Sequence, residues 1–514
     1  VDRRRGADGY MPMRLTSSFR TSARRTPAAP AIISDGAEIT YQALLARVNR
    51  IANLARDKWS LERGDIVALI APNRAEYIEL VFALSDVGVV VATINPRLSP
   101  AEVETIYRDC QPRLALVDPS LPDIADVSSA SGVKTITIDE AFEQDVRAAK
   151  DDFAPPPFPE EDSFCLCYTS GTTGEPKGVL LSHRSRALTV QAMEIEYGCF
   201  GLNSRFLALA PLCHGAGFAF AAAALSFGGA CVLFNNNDPS AIAARLGAGD
   251  ISGVFMVPTH FSRMVQQSPA ELQKLRSAHR VRTIISNAAA LAPALKHQTA
   301  EIFGHGLLNE TYGSTEAGIV TNIRPSDILR KPSSVGVPFI NTQISVRRPD
   351  GAECAVDEIG ELFSRGPYTF NGYLNRPAET AEAIVDGWVS VKDLASRDSE
   401  GFLTICGRMK DMVVSGGVNI YPAEIEAVIE AYPGIEEVAV VGLPDPEWGE
   451  RLHAFVVASD GGAPDVNAIS DLCRRALATY KVPKGFSFLA ELPRNVSGKI
   501  LKRELRESAA SGAE

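Results

Sequence analysis

The chain has 514 residues, 46% hydrophobic and 22% charged, with Lys+Arg 51 against Asp+Glu 62 for a formal net charge of -11. That length exceeds one ordinary core and implies two or more domains. The acidic balance argues against general binding of nucleic acid or an anionic membrane, whose phosphates would repel it. A local basic funnel for one phosphorylated ligand remains compatible with it.

Residues 1–25 are basic and polar without an apolar core segment, so they do not read as a secretory signal. The nine cysteines are scattered, and a chain of this size needs no disulfide staples, which points to reduced thiols in the cytoplasm. Cys165-x-Cys167 is the close pair, better explained by alternate positions of an apolar strand than by a redox or metal site.

From Thr40 to about Phe303 the pattern alternates between helix and strand. Residues 41–59 carry Leu44, Leu45, Val48, Ile51 and Leu54 at helical spacing. Residues 66–70 read as a buried strand, 77–87 as a second amphipathic helix and 89–94 as a β-branched strand. Such alternation implies parallel sheets covered by helices. The Pro-rich stretch 154–159 reads as a linker. Residues 206–234 carry no formal charge, but Pro211, His214 and Gly228-Gly229 interrupt them. A buried helix, a turn and a strand over 230–234 fit better than a membrane span of about 20 unbroken apolar residues.

After about residue 340 the style changes to short strands at 343–347 and 361–364 around the turn Pro349-Asp350-Gly351. Beyond Gly407 the spacing predicts a small α+β domain, with helices over 423–430 and 468–477 and strands over 438–442 and 454–458.

An apolar run, 163–168, leads into Thr169-Ser170-Gly171-Thr172-Thr173-Gly174-Glu175-Pro176-Lys177-Gly178. Its glycines let the backbone turn N–H groups towards an anion, the hydroxyls add donors, and Lys177 adds charge. It is not a Walker loop, because Gly171 and Gly174 are too close and Gly178 stands where a magnesium-binding Ser or Thr is required. The segment from Tyr168 to Val179 resembles the signature loop of the adenylate-forming superfamily, in its acyl- and aryl-CoA synthetase branch.

The resemblance recurs in order as far as Arg506. It implies an α/β fold: a large N-terminal domain of two doubly wound sheets plus a small β-barrel-like subdomain over 1–407, and a mobile α+β C-terminal domain over 408–514. Pro211-Leu212-Cys213-His214-Gly215 is similar to the segment whose His lies beside the acyl pocket. Asn309-Glu310-Thr311-Tyr312-Gly313-Ser314-Thr315-Glu316 is similar to the motif for adenine and the α-phosphate, with Tyr312 to stack, Thr315 to bond phosphate and Glu316 to anchor Mg²⁺. The resemblance places Asp393 and Arg408 on the ribose, although Val391-Lys392 stands where relatives have Thr-Gly. It makes Lys410 the hinge and Lys499 the adenylating lysine, with His214, Thr172 and Glu316 completing the catalytic set. Thr169, Ser170, Gly171, Thr173, Gly174, Lys177 and Ala288 complete the nucleotide site.

For coenzyme A the implied contacts are Arg97, Trp448, Tyr480 and Lys484, with Gly416 and Gly417 along the pantetheine tunnel; Val482 replaces a further basic residue. His214, His260, Phe261 and Asn287 would border the acyl pocket, and no acidic anchor accompanies His214, which favours an uncharged aromatic, alicyclic or aliphatic acid. The expected activity is ATP-dependent, AMP-forming acyl-CoA ligation of a small carboxylic acid, with ATP, Mg²⁺ and coenzyme A. The alternatives are a stand-alone enzyme loading an acyl carrier protein and an inactive nucleotide-binding homologue. No nucleic acid partner and no membrane span are expected, and the reading leaves room for a homodimer.

Overall fold

The computed structural model describes residues 12–170, 176–415, 418–459, 464–494 and 500–510. The chain divides into two compact units, Val1–Gln343 with Ser364–Val389, and Ile344–Phe363 with Ser390–Glu514.

The first unit contains two mixed sheets. In the larger, Pro30–Ser34, Ala230–Leu233, Arg205–Ala208, Gly253–Met256, Thr283–Ser286 and Leu308–Ser314 lie side by side and parallel. Antiparallel strands close its edges, Ala37–Thr40 at one and Gly318–Ile323 followed by Val337–Pro338 at the other. In the second, Ser163–Ser170, Val90–Ile94, Ile66–Ile70, Leu114–Val117 and Lys134–Thr137 run parallel, flanked antiparallel by Pro176–Ser182 and Gly372–Tyr373. Val90–Ile94 is buried throughout, as a β-branched strand at the centre of a parallel sheet must be.

The expected helix over 41–59 is observed as Tyr41–Asp57, capped by Thr40, whose hydroxyl accepts from the Ala43 amide at 3.2 Å. The helix expected to be amphipathic over 77–87, observed as Ala75–Val87, is instead buried at every position from Tyr77 onward. Its acids are tolerated inside because each is paired: Glu79 with Arg47 at 2.6 Å, and Asp86 with Arg20 at 2.5 Å. The uncharged stretch begins with a strand, Arg205–Ala208, that the sequence pattern did not reveal, followed by the buried helix Gly215–Ser226 and the strand Ala230–Leu233. Among the described residues no helix is long and apolar enough to cross a membrane.

At the start of the helix His183–Tyr197, His183 is fully buried between the rings of Phe158 and Phe164, at 5.2 and 5.5 Å. Neither ring nitrogen has a hydrogen-bond partner among the described residues. Burial, reinforced by Arg14, pushes its pKa down to about 3, so the imidazole is neutral.

In the second unit, Gly360–Arg365 pairs with Asp393–Arg397, which pairs with Leu403–Arg408. A separate sheet orders Val418–Ile420, Val413–Ser415, Gly449–Ala458 and Ile435–Asp445, with Gly485–Phe488 parallel to Gly449–Ala458. Both faces of this sheet are apolar. Val438, Val440 and Val456 pack with Ile425, Ile429 and Ile469 on one face, whereas Ala439, Val441 and Phe455 pack with Leu492 and Leu505 on the other. The period of two therefore sorts consecutive residues into two cores.

Candidate active site

The strand Ser163–Ser170 leads into residues 171–175, and the chain returns antiparallel in Pro176–Ser182, with Thr169 opposite Lys177 and Ser170 opposite Pro176. Tyr168 ties this hairpin down by donating to Asp109 at 2.6 Å. Gly171, Thr172, Thr173 and Gly174 lie outside the described residues, as do Gly416, Gly417 and Lys499.

Lys177 is largely buried, forms an ion pair with Glu379, and lies 5.4 Å from the centre of the Tyr373 ring. The Tyr373 hydroxyl donates to Glu316 at 3.0 Å. Burial and then the Glu316 charge push the phenol's pKa up, so it stays a donor. One tyrosine thus brings together the lysine expected to hold phosphate and the carboxylate expected to bind metal. Tyr373 and Glu379 were missed in the sequence, because Tyr373 reaches the site only by pairing with Val179, far away along the chain.

The Asn309–Glu316 motif occupies the strand Leu308–Ser314 and the turn after it. A methyl group at Gly313 would lie 2.1 Å from the Gly318 carbonyl oxygen, so the hairpin requires glycine there. Asn309 and Glu310 are buried and committed internally. Asn309 accepts from Asn322 at 3.2 Å; Glu310 accepts from the Leu291 amide at 2.8 Å and pairs with Lys296 at 2.5 Å. Burial raises the Glu310 pKa, and Lys296 opposes that shift. Tyr312, Gly313, Ser314, Thr315 and Glu316 are half-buried at the open end of the strand, with the Ser314 hydroxyl accepting from the Ala317 amide at 3.0 Å.

Ala288 is exposed in the left-handed region, at φ 81°. Asn287 holds this turn: its side-chain oxygen accepts from the Ala288 amide, and its nitrogen donates to Thr311 at 3.0 Å. Both ends of the amide are thereby used in ordering the loop.

His214 precedes the helix Gly215–Ser226 and lies 3.4 Å from the Asn95 amide nitrogen. Burial and then Arg97 lower its pKa, favouring the neutral ring. Arg97 itself is exposed, its amide donating to the Asn95 side chain at 2.9 Å. His260 accepts from the Val257 amide at 3.3 Å, and burial pushes its pKa down to about 4; Phe261 beside it is fully buried.

Within the second unit, Asp393 and Arg408 are cross-strand neighbours joined at 3.1 Å. The departure at Lys392 is accommodated by a left-handed backbone, φ 62°, of the kind that glycine adopts freely. Its amide donates to Ser390 at 3.1 Å and its ammonium pairs with Glu361 at 3.2 Å. Lys410 is exposed in the short 3-10 turn Met409–Asp411, where Asp411 pairs with Arg506 at 2.8 Å.

The expected coenzyme A residues of this unit form a surface group. Asp445 accepts from the amides of Glu447 and Trp448, both at 3.0 Å, shaping a turn that leaves Trp448 42% exposed. Lys484 lies 4.6 Å from the centre of its ring, and Tyr480 is 51% exposed.

The model for AMP-binding enzymes matches residues 19–374, and that for the AMP-binding enzyme C-terminal domain matches 424–499. A feruloyl-CoA synthase from an Amycolatopsis species is 35% identical over 492 residues, covering 94% of this chain and 96% of the relative. A 2-succinylbenzoate–CoA ligase from Geobacillus kaustophilus is 33% identical over 478 residues, 91% of each chain. The crystal structure of ATP-bound MatB from Rhodopseudomonas palustris aligns at a TM-score of 0.91 with 29% identity, over 98% of this chain and 100% of the other. The chain belongs to the AMP-binding enzymes, the adenylate-forming superfamily, and to their acyl- and aryl-CoA synthetase branch.

Proposed function

We propose that this AMP-forming acid–thiol ligase activates an uncharged carboxylic acid, aromatic acids first, and transfers the acyl group to coenzyme A. The observation that carries the reading is the convergence of Lys177 and Glu316 on Tyr373 beside the glycine-rich loop. A carboxylate resists attack by a thiol, so its oxygen first attacks the α-phosphorus of ATP, releasing pyrophosphate and giving an acyl-adenylate. Catalysis of that step is mainly positioning and charge stabilisation. Lys177 holds the departing pyrophosphate, Tyr312 stacks on adenine, Thr315 bonds the α-phosphate, and Asp393 with Arg408 holds the ribose. Glu316 offers the hard oxygen that suits Mg²⁺, which usually takes one or two carboxylates plus substrate phosphates and would offset their charge.

The small domain turns about Lys410, bringing Lys499 in for adenylation and Gly416-Gly417 in for the thiol. Neutral His214 and His260 support an acid without a charged tail, in keeping with the feruloyl-CoA synthases among the relatives. The exposed Trp448–Lys484 pair, with Tyr480, supports free coenzyme A as acceptor, because it offers a stacking surface and a cation to a nucleotide.

Pyrophosphate release and AMP formation with ferulic acid, 2-succinylbenzoate and a long-chain fatty acid, each with and without coenzyme A, test this. Ferulate-dependent release, reduced on the order of 10² or more in Lys499→Ala and Lys177→Ala, is expected. Release that does not depend on any acid would overturn it. Adenylate without thioester would replace coenzyme A by a carrier protein.

A further inference from the structure

Glu379, on the short helix Pro377–Ala383, has no part in the chemistry derived above, yet its carboxylate is ion-paired with Lys177. The residue is half-buried, and the oxygen facing the ammonium, Oε2, is shielded from solvent with no other partner among the described residues.

Two contacts hold the carboxylate in that place. Arg376 lies 3.4 Å from the other oxygen, Oε1, and reaches Asp109 at 3.8 Å. Asp109 in turn accepts from Tyr168 at the foot of the glycine-rich loop. The Thr380 hydroxyl accepts from the Tyr373 amide at 2.9 Å, which pins the helix of Glu379 to the strand Gly372–Tyr373, whose tyrosine ring faces the Lys177 ammonium. Cations and anions therefore alternate through Lys177, Glu379, Arg376 and Asp109, two of each sign. The Lys177 bond first, and then the Lys177 and Arg376 charges, hold the Glu379 carboxyl below the ordinary range against the smaller effect of desolvation, so it is an anion at neutral pH.

An ammonium carries three donors and no acceptor, so it can serve a carboxylate and a phosphate oxygen together. The two anions then stand on either side of one cation, and their like charges repel. Such repulsion has a use. Grip that holds triphosphate and departing pyrophosphate equally does not speed the chemical step, and a product held too tightly delays the next one.

We propose that Glu379 is a positioning residue that shares the Lys177 ammonium with pyrophosphate, aiming it at the phosphates while weakening the hold on the product. The proposal rests on the reading of Lys177 as the group that holds pyrophosphate.

Titration calorimetry of the full chain with inorganic pyrophosphate and Mg²⁺, without acid or coenzyme A, is the test. Glu379→Gln keeps the shape and an accepting oxygen but removes the charge, and pyrophosphate should then bind about tenfold more tightly. The KM for ATP should fall with it, while the KM for the acid stays. Glu379→Asp, which keeps the charge, should bind pyrophosphate as the wild type does. A half-exposed ion pair adds little stability, so these variants should fold. In Lys177→Met pyrophosphate should bind about tenfold more weakly, and adding Glu379→Gln should then change the affinity less than about twofold. Unchanged or weaker binding in Glu379→Gln, with Lys177→Met still weakening it, would overturn this proposal and leave the role of Lys177 standing. Tightening that persists in full without Lys177 would overturn it as well, because the ammonium would not be what is shared. Binding indifferent to Lys177→Met would remove the underlying reading together with the proposal.

Discussion

The segment 309–316 of the first unit, expected to bind nucleotide, and the residues of the second unit proposed to contact coenzyme A are built in opposite ways. Glu310 is enclosed with Lys296, each side chain 2% exposed, whereas Trp448 and Lys484 meet at the surface. In the first region a motif residue acts through what it holds in place. In the second, a residue is free to contact a ligand because the fold needs little from it. The same kind of substitution should therefore read out as stability in one region and as affinity in the other.

The sharpest way to break that contrast is Glu310→Gln. It leaves the Lys296 ammonium buried without its charge partner, and a loss of about 3–5 kcal/mol in urea unfolding is expected. A variant as stable as the wild type would mean that the motif is not a support. A smaller effect comes from His183, whose pKa is about 3 in the fold against 6.5 ordinarily. Its contribution is complete above pH 6.5 and falls as pH drops below that value, by about 1.4 kcal/mol per pH unit, until the folded pKa is reached. Unfolding at pH 5 and pH 7.5 should show about 2 kcal/mol of difference from this group, absent in His183→Leu.

Trp448→Ala should raise the KM for coenzyme A about tenfold through lost stacking, while acid-dependent pyrophosphate release without coenzyme A and the melting temperature stay unchanged. A fall in melting temperature would place Trp448 with the supports. The smallest effect belongs to Lys392→Gly. Relief of the left-handed backbone, about 1 kcal/mol, is offset by lost contact with Glu361 and by greater freedom of the unfolded chain, so stability should move by less than ~1 kcal/mol. Lys392→Val, with no such relief and a branched side chain, should instead destabilise.

Much of this was legible in the sequence because it is local. β-Branched runs and Leu spacing marked a strand over 89–94 and a helix over 41–59, observed at 90–94 and 41–57, while contiguous motifs named Asp393, Arg408, Trp448 and the glycine-rich loop as candidates. What stayed hidden depends on pairing between distant segments. The burial of helix 75–87 rests on Arg20 and Arg47 reaching Asp86 and Glu79 from elsewhere. Tyr373 and Glu379 join Lys177 only through a strand that returns about two hundred residues later. The substitution at Lys392 looked disruptive because backbone handedness is invisible in side-chain chemistry, yet a lysine can adopt it.

The two-faced sheet of the second unit has a further consequence for how that unit avoids misfolding. In a sheet with one wet face, sliding a strand by one residue throws apolar groups into water and is rejected at once. Along Val438–Val441 such a slide merely exchanges one oily interior for another, so polarity offers little proofreading. Polar contacts supply the stop instead: Asp445 clasps two amides at the end of the hairpin joining Ile435–Asp445 to Gly449–Ala458, and the Val440 amide donates to Glu426 at 2.7 Å. The clasp that sets out Trp448 is therefore also one catch of the zipper.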